Sequence, residues 1–99
     1  MHKSVLLQEA LEWLSPHPGG VYVDGTLGLG GHSEGILKAS SGKARLFGFD
    51  LDADVLARAE NRLRDYSDSV EFIHSNFDKI PPYLQERSVF ANGILLDLG

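Results

Sequence analysis

Three carboxylates and an aromatic stand where short apolar runs of this chain end. Asp24 follows Val21–Val23, Asp50 follows Leu46–Phe49, the Asn76-Phe77 pair follows Phe72–Ile73, and Asp97 follows Ile94–Leu96. Behind Asp24 come four glycines in seven residues, Gly25, Gly28, Gly30 and Gly31. A carboxylate at such a position accepts hydrogen bonds from vicinal hydroxyls, as on a ribose, and an aromatic ring lies against a base. Glycine lets a backbone turn sharply and approach a ligand closely. A turn of this kind running into a helix delivers free N–H groups to an anionic group. One strand-end Asp is explained by capping alone; four strand ends of this kind beside a glycine turn point to a site that grips a nucleoside.

The elements that must position these residues alternate. A helix is expected over Val5–Leu14, with Leu7, Ala10, Leu11 and Leu14 on one face, Ser4 at its start and Pro16, Pro18, Gly19 and Gly20 closing it. Strands follow at Val21–Asp24, Arg45–Asp50, Val70–His74 and Ile94–Leu96. Between them lie helices at Ser33–Ala39, at Asp52–Tyr66 and at Tyr83–Arg87, the last with Pro81 and Pro82 in its first turn. In the middle helix Leu56, Ala59, Leu63 and Tyr66 form the apolar stripe, and Glu60 and Arg64 an i,i+4 pair outside. Helix–strand alternation implies right-handed crossovers and a parallel sheet, an α/β fold whose ligands sit at the carboxyl ends of the strands. The fourth strand is apolar enough to be buried on both faces, yet the sequence offers no helix after it. We therefore expect residues 1–99 to form a single partial domain, the cofactor-binding part of a longer protein.

Composition narrows the class. With 99 residues, 42% hydrophobic and 23% charged, the chain supports one small core and is not of disordered type. A net charge of −5 disfavours indiscriminate binding to nucleic acid, although it leaves room for a local basic patch. The absence of cysteine removes disulfides, thiol catalysis and cysteine zinc sites, and fits a reducing compartment. No basic-then-apolar leader and no long apolar run is present, so a cytoplasmic protein without a membrane anchor is expected. His2, His17, His32 and His74 show no metal-ligand spacing, and no metal site is expected. On residue type alone, His74 on its strand and Trp13 in the first helix are structural.

The glycine turn is not the dinucleotide fingerprint, because Ser33 stands where the third glycine belongs. Asp50, 22 residues after Gly28, occupies the ribose-binding position, and its charge repels a 2′-phosphate. The spacing Asp24-x-x-x-Gly28-x-Gly30 is similar to the first motif of S-adenosylmethionine-dependent methyltransferases, most of which carry glycine at the position of Thr26. Further matches run in order along the chain: His2-x-x-Val5-Leu6-Leu7-x-Glu9; Gly30-Gly31-His32-Ser33; Gly48-x-Asp50-x-Asp52; Asn76-Phe77; and Gly93 through Gly99. Together they resemble the MraW/RsmH family of small-subunit (16S) ribosomal RNA cytosine-N4 methyltransferases, with Ser4 replacing a proline common there. The resemblance implies a Rossmann-like methyltransferase fold and S-adenosyl-L-methionine as cofactor. It implies cofactor contacts at Gly30, Gly31 and His32 (amino-acid end), Asp50 (ribose), Phe77 (adenine side) and Asp97 (near the methionine moiety). It also implies ribosomal RNA as partner, bound largely by segments outside these 99 residues.

Transfer to an exocyclic cytosine amine is chiefly a matter of alignment, since that lone pair is delocalised into the ring. A proton acceptor helps, and Asp97 is the candidate, either as acceptor or as a cofactor-binding carboxylate only. The Pro-Pro-Tyr that follows such an Asp in other amine methyltransferases is missing. Two other motifs fail. Asp50-x-Asp52 resembles a phosphatase nucleophile loop, but Asp54 breaks the pattern and the run follows the second strand, not the first. As a calcium loop it lacks glycine at Val55 and glutamate at Asn61. The alternative of a different class is a non-catalytic nucleotide-binding fragment, or a Rossmann-like enzyme using NAD.

Overall fold

The computed structural model describes residues 14–96. Within them the elements run β1 (Val21–Asp24), α1 (Gly31–Ala39), β2 (Arg45–Asp50), α2 (Ala53–Arg62), β3 (Val70–His74), α3 (Ile80–Glu86) and β4 (Gly93–Leu95). Short 3-10 turns lie at Arg64–Ser69 and Phe77–Lys79. The helix expected over Val5–Leu14 lies outside the described residues except for Leu14, which packs on the core beside Tyr22. Asp97 lies outside them too.

The strands are parallel and ordered β3-β2-β1-β4. Period-two alternation splits their side chains between two layers. Tyr22, Leu46 and Val70 face one way and pack with Ile36 and Leu37 of α1 and with Leu63. Val23, Phe47 and Phe49 face the other way and pack with Ile80 and Leu84 of α3. The chain moves from β1 to β2 to β3 in one direction, then returns past β1 to β4. That reversal makes the ends of β1 and β4 the topological switch point, where parallel sheets hold ligands. Gly25 N–H donates to Leu95 O at 2.8 Å there.

Three expectations need correction. β4 is not buried on both faces: Ile94 is 50% exposed and Leu96 43%. An apolar sequence reports what a strand is made of, whereas its cover depends on what lies beside it, and among the described residues β4 pairs only with β1. The strands sheathed on both faces are β1 and β2. The middle helix stops at Arg62 instead of Tyr66. Asp65, Ser67, Asp68 and Ser69 bond readily to nearby backbone and favour turns, and Ser69 Oγ donates to Gly42 O at 2.8 Å. Finally, the i,i+4 pair of Glu60 with Arg64 gives way to a cross-helix one, in which Arg62 meets Glu34 of α1 at 2.9 Å.

Candidate functional site

The glycine turn is held from below before it offers anything to a ligand. Asp24 is only 1% exposed. Its Oδ2 accepts from Ser33 Oγ at 2.8 Å and its Oδ1 from Thr26 N–H at 3.2 Å. The carboxylate therefore sits beneath the start of α1, the end of a helix that favours negative charge. It braces the turn and does not line the cavity, which revises the expectation that all the strand-end carboxylates converge on the ligand. Ser33, expected to open the helix, is a buried residue of its first turn.

Leu27 anchors the middle of the turn in the core with Leu56 and Ala59. Its N–H donates to Phe49 O at 3.0 Å. Gly48 makes room for it, because a Cβ on Gly48 would stand 2.9 Å from Leu27 Cδ1. At the far end Gly30 caps α1 with φ of 91°, a left-handed conformation in which a side chain is strained. The helix thus begins at Gly31, two residues before the sequence suggested. Gly31 and His32 occupy its first turn.

Asp50 links the turn to the next strand. Its Oδ2 accepts from Gly28 N–H at 2.9 Å, and its Oδ1 from Asp52 N–H at 2.9 Å. A carboxylate has about four acceptor positions, so both oxygens keep capacity for hydroxyl donors. Asp52 caps α2, accepting from the N–H groups of Asp54 at 2.9 Å and Val55 at 3.3 Å. Across the mouth, Asn76 Oδ1 accepts from Phe77 N–H at 2.8 Å and sets the start of the turn that carries the ring. Phe77 is 37% exposed.

These groups enclose a cavity of about 230 Å³ lined by Gly25, Thr26, Gly28, Asp50, Leu51, Ser75, Asn76 and Phe77. It brings together Asp50 and Phe77, two of the residues singled out from sequence. Gly30, Gly31 and His32 do not line it; they form the helix start that the turn leads into. The reasoning from sequence missed Leu51 and Ser75. Leu51 had a signal: an apolar residue set between two acids at a strand end. It is 65% exposed, so packing does not account for it. Among the described residues no cation lines the cavity. One carboxylate between two apolar side chains suits a ribose carrying a base.

A larger cavity, about 460 Å³, lies between α3 and β4. Its described lining is mostly apolar (Pro81, Leu84, Val89, Phe90, Ala91 and Ile94), with Gln85 and Ser88 as its polar members and no titratable group among them, so these residues offer no acid–base chemistry. Among the described residues no group of three His, Cys, Asp or Glu side chains is placed to hold a metal ion. No described helix is long and apolar enough to cross a membrane.

Comparison with known proteins agrees with this geometry. The model of the MraW methylase family matches residues 1–99. Ribosomal RNA small subunit methyltransferase H of Clostridioides difficile is 46% identical over 99 residues, covering 99% of this chain and 32% of the relative. The protein of that name from Kosmotoga olearia is 43% identical, with 99% and 33% covered. The chain thus spans about a third of the length of these relatives. Among solved structures, a protein-L-isoaspartate O-methyltransferase superposes with a TM-score of 0.76 at 14% identity, over 95% of this chain and 29% of that one. A geranyl diphosphate methyltransferase in complex with SAM gives 0.64 at 25% identity, over 74% and 30%. The first of these likenesses concerns fold alone.

Proposed function

This chain belongs to the MraW methylase family, and from that premise we propose that it is the cofactor-binding portion of an S-adenosylmethionine-dependent methyltransferase acting on the N4 amine of a cytidine in small-subunit ribosomal RNA. The observation that carries the reading is Asp50. It closes β2, ties down the glycine turn through Gly28, and faces Phe77 across one cavity. The relatives' shared name, which specifies small-subunit ribosomal RNA, supports the substrate.

In this reading Asp50 receives the ribose hydroxyls, and Phe77 with Leu51 flanks the adenine. The start of α1, with Gly30, Gly31 and His32, receives the amino-acid end through backbone N–H groups. The cavity fits such a ligand because it sets a single carboxylate and a few neutral polar groups among apolar side chains, with no cation among its described lining residues. When bound, S-adenosylmethionine supplies a methyl group on a sulfonium centre, already a strong electrophile. The protein's task is then mostly alignment of the amine. Asp97, which follows β4 in the sequence, is assigned by the family resemblance to the methionine side of the cofactor and is the candidate acceptor for the amine proton.

A chimera tests the assignment. Residues 1–99 replace the corresponding segment of the Clostridioides difficile relative, and the product is incubated with unmodified small-subunit ribosomal RNA and methyl-labelled cofactor. Nuclease digestion and mass spectrometry should find the label in N4-methylcytidine. Label only in 5-methylcytidine, or only in adenosine, would overturn the proposed specificity.

A further inference from the structure

Leu51 lines the cavity, yet it has left the sheet and lies 65% exposed. Its side chain can serve a ligand only if its backbone is fixed. Its neighbours are fixed by means already described: Asp50 by the strand and by Gly28, Asp52 by capping α2. For Leu51 the tie comes from the third strand. His74 stands opposite Asp50 in the β2–β3 register, and Ser75 N–H donates to Asp50 O at 3.0 Å. The His74 ring reaches one residue further, placing Nε2 2.8 Å from Leu51 O. A carbonyl only accepts, so Nε2 carries the proton and donates.

We propose that His74 is a positioning residue for the adenosine end of the site, acting through Leu51. It extends the β2–β3 pairing by one rung, using a side chain where the backbone ladder has ended. The Leu51 side chain then meets an incoming base across from Phe77 without having to be ordered at the moment of binding, a cost that otherwise weakens affinity. The inference rests on the S-adenosylmethionine reading, and it gives His74 a part in binding that residue type alone did not suggest.

The test is calorimetric titration of the chain with S-adenosylhomocysteine and with 5′-methylthioadenosine, which lacks the amino-acid end. His74→Leu should weaken both ligands by the same factor, roughly three- to tenfold for one exposed hydrogen bond. His74→Gln keeps an N–H donor of similar reach and should return both affinities to within about twofold of the parent. In a Leu51→Ala background, His74→Leu should cost little more, because the two residues act in series. Parental affinity in His74→Leu, failure of the glutamine to rescue, or fully additive losses with Leu51→Ala would each overturn the proposal while leaving the cofactor reading intact. A parent chain that binds neither adenosine ligand would overturn both.

Discussion

Replacing Ser33 with alanine probes the brace beneath the glycine turn. Ser33 Oγ donates to Asp24 Oδ2 at 2.8 Å, and both side chains are buried. The acceptor is a carboxylate, and hydrogen bonds to charged groups contribute about 1.5–3 kcal/mol. Alanine's better helix propensity offsets about 0.5 kcal/mol of that. The expected net loss is about 1–2.5 kcal/mol, or roughly 4–8 °C in Tm per kcal/mol for a domain of this size. Urea unfolding followed by far-ultraviolet circular dichroism measures it, with the midpoint falling and the slope unchanged. In an Asp24→Asn background the acceptor is neutral, and the same substitution should cost only about 0.5–1.5 kcal/mol. A loss below about 0.5 kcal/mol in the parent, or equal losses in both backgrounds, would refute the idea that a buried charge holds α1 to the end of β1.

Other outcomes follow from the same contacts. Asp50→Ala should lower S-adenosylhomocysteine affinity at least about tenfold, since the two charge-assisted hydroxyl contacts proposed for it would be lost and Gly28 released; titration calorimetry reads it, and unchanged affinity removes Asp50 from the site. Gly30→Ala should destabilise the chain by about 1–2 kcal/mol in urea unfolding, the cost of a side chain at its φ of 91°. Burial, followed by the hydrogen bond from its hydroxyl to Glu71 and the charge of Glu71, pushes the Tyr83 phenol above its usual range. A folded-state pKa above the unfolded one adds stability that is complete below about pH 10 and fades as pH rises toward the folded value. The urea midpoint of the parent should therefore fall more steeply than that of Tyr83→Phe between about pH 9.5 and 11; parallel curves would remove Tyr83 as the cause. The 99 residues alone should not methylate small-subunit ribosomal RNA, because they span only about a third of the length of the relatives named for it; turnover by this chain in a tritium-transfer assay would contradict that.

The first three strands are legible in the sequence to the residue, because their β-branched and aromatic runs are bounded by glycine, proline, serine and aspartate. Helix ends are less so. With Gly30 as its cap, α1 begins at Gly31, two residues before Ser33, since a left-handed glycine cap leaves no side-chain signature. The acid-and-serine stretch after Arg62 turns where periodicity alone continues a helix. Within the site, Asp50 and Phe77 are readable because position at a strand end and residue type agree. Asp24 has the same credentials and a different job: whether a strand-end carboxylate faces a ligand or a buried hydroxyl depends on Ser33, nine residues away. Leu51 and His74 are legible only together, as their contact joins the ends of two neighbouring strands.

The central claim is that the cavity between the glycine turn, Asp50 and Phe77 holds S-adenosylmethionine and not a dinucleotide. Titration of the chain with S-adenosylmethionine and, separately, with NAD tests it most directly. The account predicts saturable one-to-one heat with S-adenosylmethionine, reduced in Asp50→Ala, and none with NAD. Binding of NAD without binding of S-adenosylmethionine would contradict it.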